Sequence, residues 1–266
     1  YISNCNSMGI KVLPPNINTS EIDFTPKVDS ILFGLSAIKN LGDTAINTII
    51  TSRETDGEFD SLAHFCDRIS LGSVNRRAIE ALIHCGALDS LDQNSNRAQL
   101  IADLDLILDW ASSRSKDRAS GQGNLFDLSS SLNDESSTDE YLSAPKAKNV
   151  NEYPPSDKLK LEKEHVGFYL SDHPLKQLSE PARLIAPISL GSLDDQKDKS
   201  RVSVIAMIPE MREVTTRKGD RMAIIQLEDL TGSCEAVVFP KSYERLSDHL
   251  MVETRLLIWG SVDRRD

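Results

Sequence analysis

Asp103 and Asp105 form a D-x-D pair, a spacing that could hold a divalent cation for phosphoryl or hydrolytic chemistry. They lie in SNRAQLIADLDLILDWA (95–111), where apolar residues recur with helical period behind Ser95 or Asn96 as cap. On a helix, residues two apart point about 200° from each other, so the two carboxylates cannot share one ion and are expected on a solvated face. The five histidines stand without a Ser, Cys or carboxylate at a useful offset. Cys5, Cys66, Cys85 and Cys234 show no C-x-x-C spacing, which argues against a zinc site or a disulfide framework and for reduced, mostly buried thiols. No glycine-rich phosphate loop is present. The sequence therefore predicts no catalytic residue, no metal ligand and no cofactor within this chain.

Residue types that bind are better placed. In FGLSAIKNLGDTAINTII (33–50) two helical runs flank a turn at Asn40-Leu41-Gly42. The backbone N–H groups of such a turn, with the start of the following helix, can face a nucleic-acid phosphate without reading sequence. The candidates are Lys39, Asn40, Leu41, Gly42 and Thr44, and the Asp43 carboxylate opposes them. VNRRAIEALIHCGALDSL (74–91) repeats helix, turn and helix, adding Arg76, Arg77 and Gly86. A third cluster, Arg217, Lys218 and Arg221, falls between two strand-like runs, where a small barrel would hold single strands by charge and stacking. Alternation sets Phe239 on the face of Val237 and Trp259 on that of Leu257, which reads as core. Tyr243 is the remaining aromatic candidate of that region.

Gln122, Leu125 and Phe126 sit in SGQGNLFDL (120–128), ahead of SSSLNDESSTDE. That composition cannot bury enough apolar surface to offset the entropy of ordering. A Leu-Phe pair without a local core, preceded by a Gln, has the form of a short linear motif that fills a pocket on another protein.

These residues need scaffolds of two kinds. Residues 1–30 carry Pro14, Pro15 and Pro26 and read as an extended strap. The strap's first residues, YISNCNSMGI, resemble the last turns of a helix closed at Gly9, which suggests a fragment of a longer chain. Residues 31–112 form a tandem helix-hairpin-helix domain, 113–157 a flexible linker and 158–198 a helical connection. Residues 199–266 give strand, strand, strand, helix and strand, the order of the oligonucleotide-binding (OB) barrel without its last strand. The expected fold is thus multidomain α+β: an all-α tandem hairpin domain, a disordered linker and a truncated OB-fold β-barrel.

Composition agrees with an ordinary globular protein, with 39% hydrophobic and 27% charged residues. No run approaches the ~18 apolar residues of a membrane span, and no signal peptide is visible, so a cytoplasmic location away from membranes is expected. Net charge is -11, which on its face opposes nucleic acid. Residues 101–157 alone hold 5 basic and 11 acidic side chains, a net of -6, so more than half of that acidity lies in one segment.

FGLSAIKNLGDTAINTII, VNRRAIEALIHCGALDSL, EKEHVGFYLSDHPL and TTRKGDRMAIIQLEDLTG, in this order, resemble the C-family replicative DNA polymerases, the bacterial DNA polymerase III alpha subunits. The resemblance covers nearly the whole chain. It implies the end of a fingers region at 1–30, hairpins that grip the primer-template duplex, and an OB domain near the single-stranded template. The family's sliding-clamp motif, Gln-x-x-Leu/Met-Phe, falls on Gln122, Leu125 and Phe126. Implied partners are DNA, the sliding clamp (beta subunit) and other replicase subunits. The resemblance also implies that the palm carboxylates and their Mg2+ lie outside this chain, which alone would be inactive in nucleotidyl transfer. A free-standing DNA-binding adaptor built of the same modules is the alternative.

Overall fold

The computed structural model describes residue 5 and residues 8–91, 96–120 and 141–264. They fall into two compact units, Cys5–Ser171 and Asp172–Asp266.

The first unit is helical with a small sheet at its start. Strands β1 (Lys11–Leu13), β2 (Thr25–Pro26) and β3 (Ser30–Leu32) pair in the order β1-β3-β2. A single 3-10 turn, Leu35–Ala37, and helix α1 (Asp43–Asp56) follow. Ala45, Ile46 and Ile49 of α1 are buried, and Gly57 ends the helix at φ +85. Arg53, also buried, donates to the carbonyls of Ile17 and Ser20 at 3.0 and 2.7 Å, tying the strap to α1. Helix α2 (Leu62–Arg68) is capped by Ser61, which accepts from His64 N at 3.1 Å, and α3 (Arg76–His84) by Asn75, which accepts from Ala78 N at 3.0 Å.

Helix α4 (Arg97–Ser120) opens on Asn96, whose side chain accepts from Gln99 N at 2.7 Å. It runs past residue 111, where apolar period alone ends it. Arg118 grips the buried Asp67 through both carboxylate oxygens at 2.8 and 2.9 Å, and Arg114 approaches the same group at 3.4 Å. That tertiary pair holds a polar stretch in a helix that local composition would leave frayed. The described part of the expected linker beyond residue 140 packs back on this unit. Tyr141 stacks on His64 at 4.6 Å, Ala144 is buried, and Glu152 accepts from Arg97 N and Ala98 N at the start of α4. Asp103, expected in solvent, is instead buried, because its carboxylate accepts from Ala147 N at 2.6 Å and from Gln99 Nε2 at 2.9 Å. Only Asp105 faces outward, paired with Arg76 at 2.7 Å.

Helix α5 (Pro155–Val166) completes the unit and ends at Gly167 in the left-handed region. The Glu162 side chain is 1% exposed and meets the guanidinium of Arg97, itself 5% exposed, at 2.8 Å. Arg97 also holds Asp89 at 2.6 Å and donates to the His84 carbonyl at 3.0 Å. The second Glu162 oxygen accepts from Ser171 N and Oγ at 3.1 and 2.9 Å. At Gly86, with φ +83, a β-carbon would come within 2.2 Å of the Arg97 guanidinium, so only glycine fits that turn.

The second unit carries helix α6 (Lys176–Ala182), a 3-10 segment (Leu190–Asp195) and four antiparallel strands. These are β4 (Arg201–Thr215), β5 (Arg221–Glu228), β6 (Ser233–Val238) and β7 (Arg255–Ser261), in sheet order β6-β5-β4-β7, with helix α7 (Pro240–Leu246) between β6 and β7. A bulge between Met207 and Glu210 bends β4, which pairs with β7 along its first half and mainly with β5 along its second. Val204, Ala206, Ile208, Ala223, Ile225 and Leu227 form the concave core with Leu190, Tyr243 and Leu250. Phe239 and Trp259 are not in it: they are 64% and 69% exposed. The alternation expected from sequence is present, but the core takes Ala236 and Val238 from β6 and Leu256 and Ile258 from β7. The other face carries Ser233 and Glu235 on β6 and Arg255 and Ser261 on β7, polar residues that mark it as the outer one.

Three outcomes follow for the helical unit. Glu162→Ala strands a buried guanidinium and is expected to lower stability by about 3–5 kcal/mol in urea unfolding. Asp105→Ala, which breaks a solvent-exposed pair, should cost no more than about 1 kcal/mol. His84 packs against His165, with ring centroids 5.3 Å apart, and burial first, then the neighbouring His165, pushes its imidazole down to about 4. The unfolded chain takes up that proton near the ordinary value and the folded one does not. The stability held above pH ~6.5 should therefore fall as the pH drops toward 4, and His84→Asn should flatten that slope in denaturation followed by circular dichroism.

Candidate nucleic-acid interface

The first hairpin turn is held from both sides. Asn40 adopts φ +67, Leu41 is buried, and the Lys39 N–H donates to the His165 carbonyl of α5 at 2.8 Å. Lys39, Asn40, Gly42, Asp43 and Thr44 are exposed. Gly42 caps α1 without a side-chain hydrogen bond, and a β-carbon placed there would meet nothing within 4 Å. The first-turn N–H groups of this 14-residue helix are thus uncovered by any cap, with the positive end of its dipole toward open space. The Asp43 carboxylate lies in the same first turn and weakens that field. Burial, with the Lys39 ammonium adding to it, keeps His165 below its ordinary value, so at neutral pH the cationic group of this turn is Lys39.

The second hairpin turn is closed. The amides of Cys85, Gly86 and Ala87 donate to Ala81, Ile83 and Leu82 at 3.0, 3.1 and 2.9 Å. The Arg97 guanidinium fills the space over Gly86. After it comes a run of turns through Leu91, in place of the helix that repetition predicts. Gly86 here serves packing, as a helix end pressed against a buried ion pair. Arg76 is engaged by Glu80 and Asp105, whereas Arg77 is exposed.

In the second unit the structure brings Arg217, Lys218 and Arg221 to one end of the sheet, all exposed, around a tight turn. Thr216 N donates to Asp220 O at 2.8 Å, Gly219 N donates to Thr216 O at 2.9 Å, and Gly219 takes φ +89. Arg221 lies 4.0 Å from Glu213, a pair exposed at both ends and weak for that reason. On the outer face beside this turn, Val214 and Met222 pair across the strands, as do Ile224 and Val237. Phe239 and Trp259, read as core in the sequence, are therefore available on the surface of the same unit. The signal that could have found their exposure is local: Ser233 and Glu235 alternate onto the face of Phe239, and Arg255 and Ser261 onto that of Trp259.

Gln122, Leu125 and Phe126 lie outside the described residues. Among the described residues, no group of three or more His, Cys, Asp or Glu side chains could hold a metal ion. Cys66 and Cys85 are buried, which pushes both thiols up to about 12, while Cys5 and Cys234 are half-buried. No described helix is long and apolar enough to cross a membrane.

Comparison with known proteins matches this geometry. Residues 9–100 match the family described as helix-hairpin-helix motif, and residues 202–266 the OB-fold nucleic acid binding domain. The chain is 35% identical over 267 residues to a DNA polymerase III subunit alpha of Neisseria meningitidis serogroup B, covering 100% of this chain and 22% of that protein. It is 35% identical over 269 residues to that of Thermus aquaticus (99% and 21%) and 34% identical over 266 residues to that of Bacillus subtilis (100% and 22%). It thus spans about a fifth of the length of these curated relatives. A helical hairpin domain and a curled antiparallel barrel, collinear over the whole chain with about a fifth of those relatives, make it homologous to one segment of DNA polymerase III alpha subunits.

Proposed function

We propose that the chain is the DNA-holding and clamp-tethering portion of a replicative polymerase of the cytoplasmic replicase, supporting processive template-directed synthesis. The observation that carries this reading is the collinear similarity of the whole chain to one segment of alpha subunits across both nucleic-acid modules. The first hairpin takes the primer-template duplex. Its Asn40–Gly42 turn and the uncapped start of α1 face a backbone phosphate, with Lys39 beside them, Thr44 in the same helical turn and Arg77 as a further cation. Leu41, buried beneath, sets the shape of the turn. The barrel loop, through Arg217, Lys218 and Arg221, takes the single-stranded template. Gln122, Leu125 and Phe126 bind the sliding clamp, and other replicase subunits join the same assembly. Clamp attachment supplies processivity through effective concentration, since a weak contact keeps the polymerase near its primer end between turnovers. Polymerisation itself belongs to palm carboxylates and Mg2+ elsewhere in the parent protein, and this chain alone has no nucleotidyl-transfer activity.

The DNA contacts are tested by titration of fluorescent primer-template over a salt series. Replacing Arg217, Lys218 and Arg221 with Ala should weaken binding and lower the slope of log affinity against log salt by about 2. Asp43→Asn should tighten duplex binding, and Lys39→Ala should loosen it. An unchanged slope in the triple variant removes the barrel loop from the interface. For the clamp, a Gln122, Leu125 and Phe126 to Ala variant should lose binding to immobilised sliding clamp while its circular dichroism stays the same. Unchanged clamp affinity in that variant would sink the tethering role.

A further inference from the structure

Trp259 stands on the outer face of the barrel sheet, at the end of β4 opposite the 216–220 turn. Burying an indole stabilises a fold more than burying almost any other side chain, so a strand tryptophan left 69% exposed calls for a reason. Its surroundings are specific. Register places Ser203 of β4 directly across from Trp259, and Arg201 across from Ser261. Arg201, Ser203, Trp259 and Ser261 therefore share one face, and the exposed Arg201 is a diagonal neighbour of the indole, within reach of a long side chain. These four, with Val202 and Gly260, line an open hollow that holds one cation and no carboxylate, in a chain of net charge -11. The nearby Asp198 and Asp263 are occupied, Asp263 by Lys199 and Asp198 by the Arg264 N–H at 3.1 Å. Among the described residues, no aromatic ring stacks on Trp259 and no cation sits over its face.

We propose that this β4–β7 face is a stacking site for a base of single-stranded nucleic acid, with Trp259 as the platform and Arg201 facing the adjoining phosphate. An open indole and a neighbouring guanidinium match what sequence-tolerant strand binding uses. The charge of the hollow selects an anion. A protein partner would draw instead on an apolar neighbour, the exposed Ile185, held by Ser203 Oγ donating to its carbonyl at 2.7 Å. The hollow's own polar lining favours nucleic acid. The site adds a contact remote from Arg217, Lys218 and Arg221 on the strand, and it rests on the reading of the barrel as a single-strand holder.

The chain has two tryptophans, so Trp110→Phe leaves Trp259 as the sole indole reporter. Titrating that variant with oligothymidylate should quench its emission saturably, less so as salt rises. By anisotropy of a labelled oligothymidylate, Trp259→Ala should weaken binding by roughly five- to a hundred-fold, the range expected for one stacked base. Trp259→Phe should recover part of that loss, and Arg201→Ala should lower the salt slope by about 1. If oligothymidylate binds but Trp259→Ala binds it equally well, this inference falls while the single-strand role of the barrel stands. If the unaltered chain binds no oligothymidylate, both fall. If Trp259 emission changes with protein concentration and not with oligothymidylate, the face is a protein interface and the proposal is overturned.

Discussion

A guanidinium removed from water must be paired on every side, and Arg97 decides how the helical unit closes. It joins the start of α4 to Asp89 and the His84 carbonyl in the second hairpin turn, and to Glu162 in α5. Glu162 in turn fixes Ser171, where the unit ends. A few residues along, His165 offers its carbonyl to the Lys39 N–H, so the helix that pairs with Arg97 also sets the first turn. The open turn at Asn40–Gly42 thus depends on a buried ion pair that touches neither hairpin helix by sequence proximity. The cost of desolvating these charges is offset only if Asp89, Glu162 and the carbonyl are all in place. This couples the two hairpins into one body.

The same network separates the two glycine turns by role. Gly86 accommodates Arg97 and its neighbouring amides are consumed by the end of α3, whereas Gly42 stands over open space and leaves the start of α1 uncapped. Two turns that look alike in sequence are one packing device and one exposed donor array. Arg76 and Arg77 divide in the same way, the first drawn into Glu80 and Asp105 and the second left to solvent.

In the barrel the comparable constraint is the bulge between Met207 and Glu210. By bending a single 15-residue strand it lets β4 serve β5 at one end and β7 at the other, and it turns one face of four strands onto a common core. The opposite face is left to solvent at both ends of β4. Arg217, Lys218 and Arg221 surround one end and Trp259 with Arg201 the other, in a unit whose charges balance at 11 of each sign over residues 199–266. Its cations act through their position and not through net charge.

Most of the order of elements was legible in the sequence because it rests on local physics, the sheet of β1, β2 and β3 and the turns after Gly86 excepted. Helical period marks α1, α3 and α4, and the strand-strand-strand-helix-strand order marks the barrel. The candidate turns and the basic loop were legible too, since Gly, Asn and clustered cations are local signals. What only tertiary structure decided are choices between locally equivalent options. Asp103 and Asp105 differ because Ala147 reaches one of them, and α4 continues to Ser120 because Asp67 awaits Arg118. Residue type and spacing determine which groups can pair or bury. Which of them do so is settled by segments distant in the chain, whose approach no local pattern records.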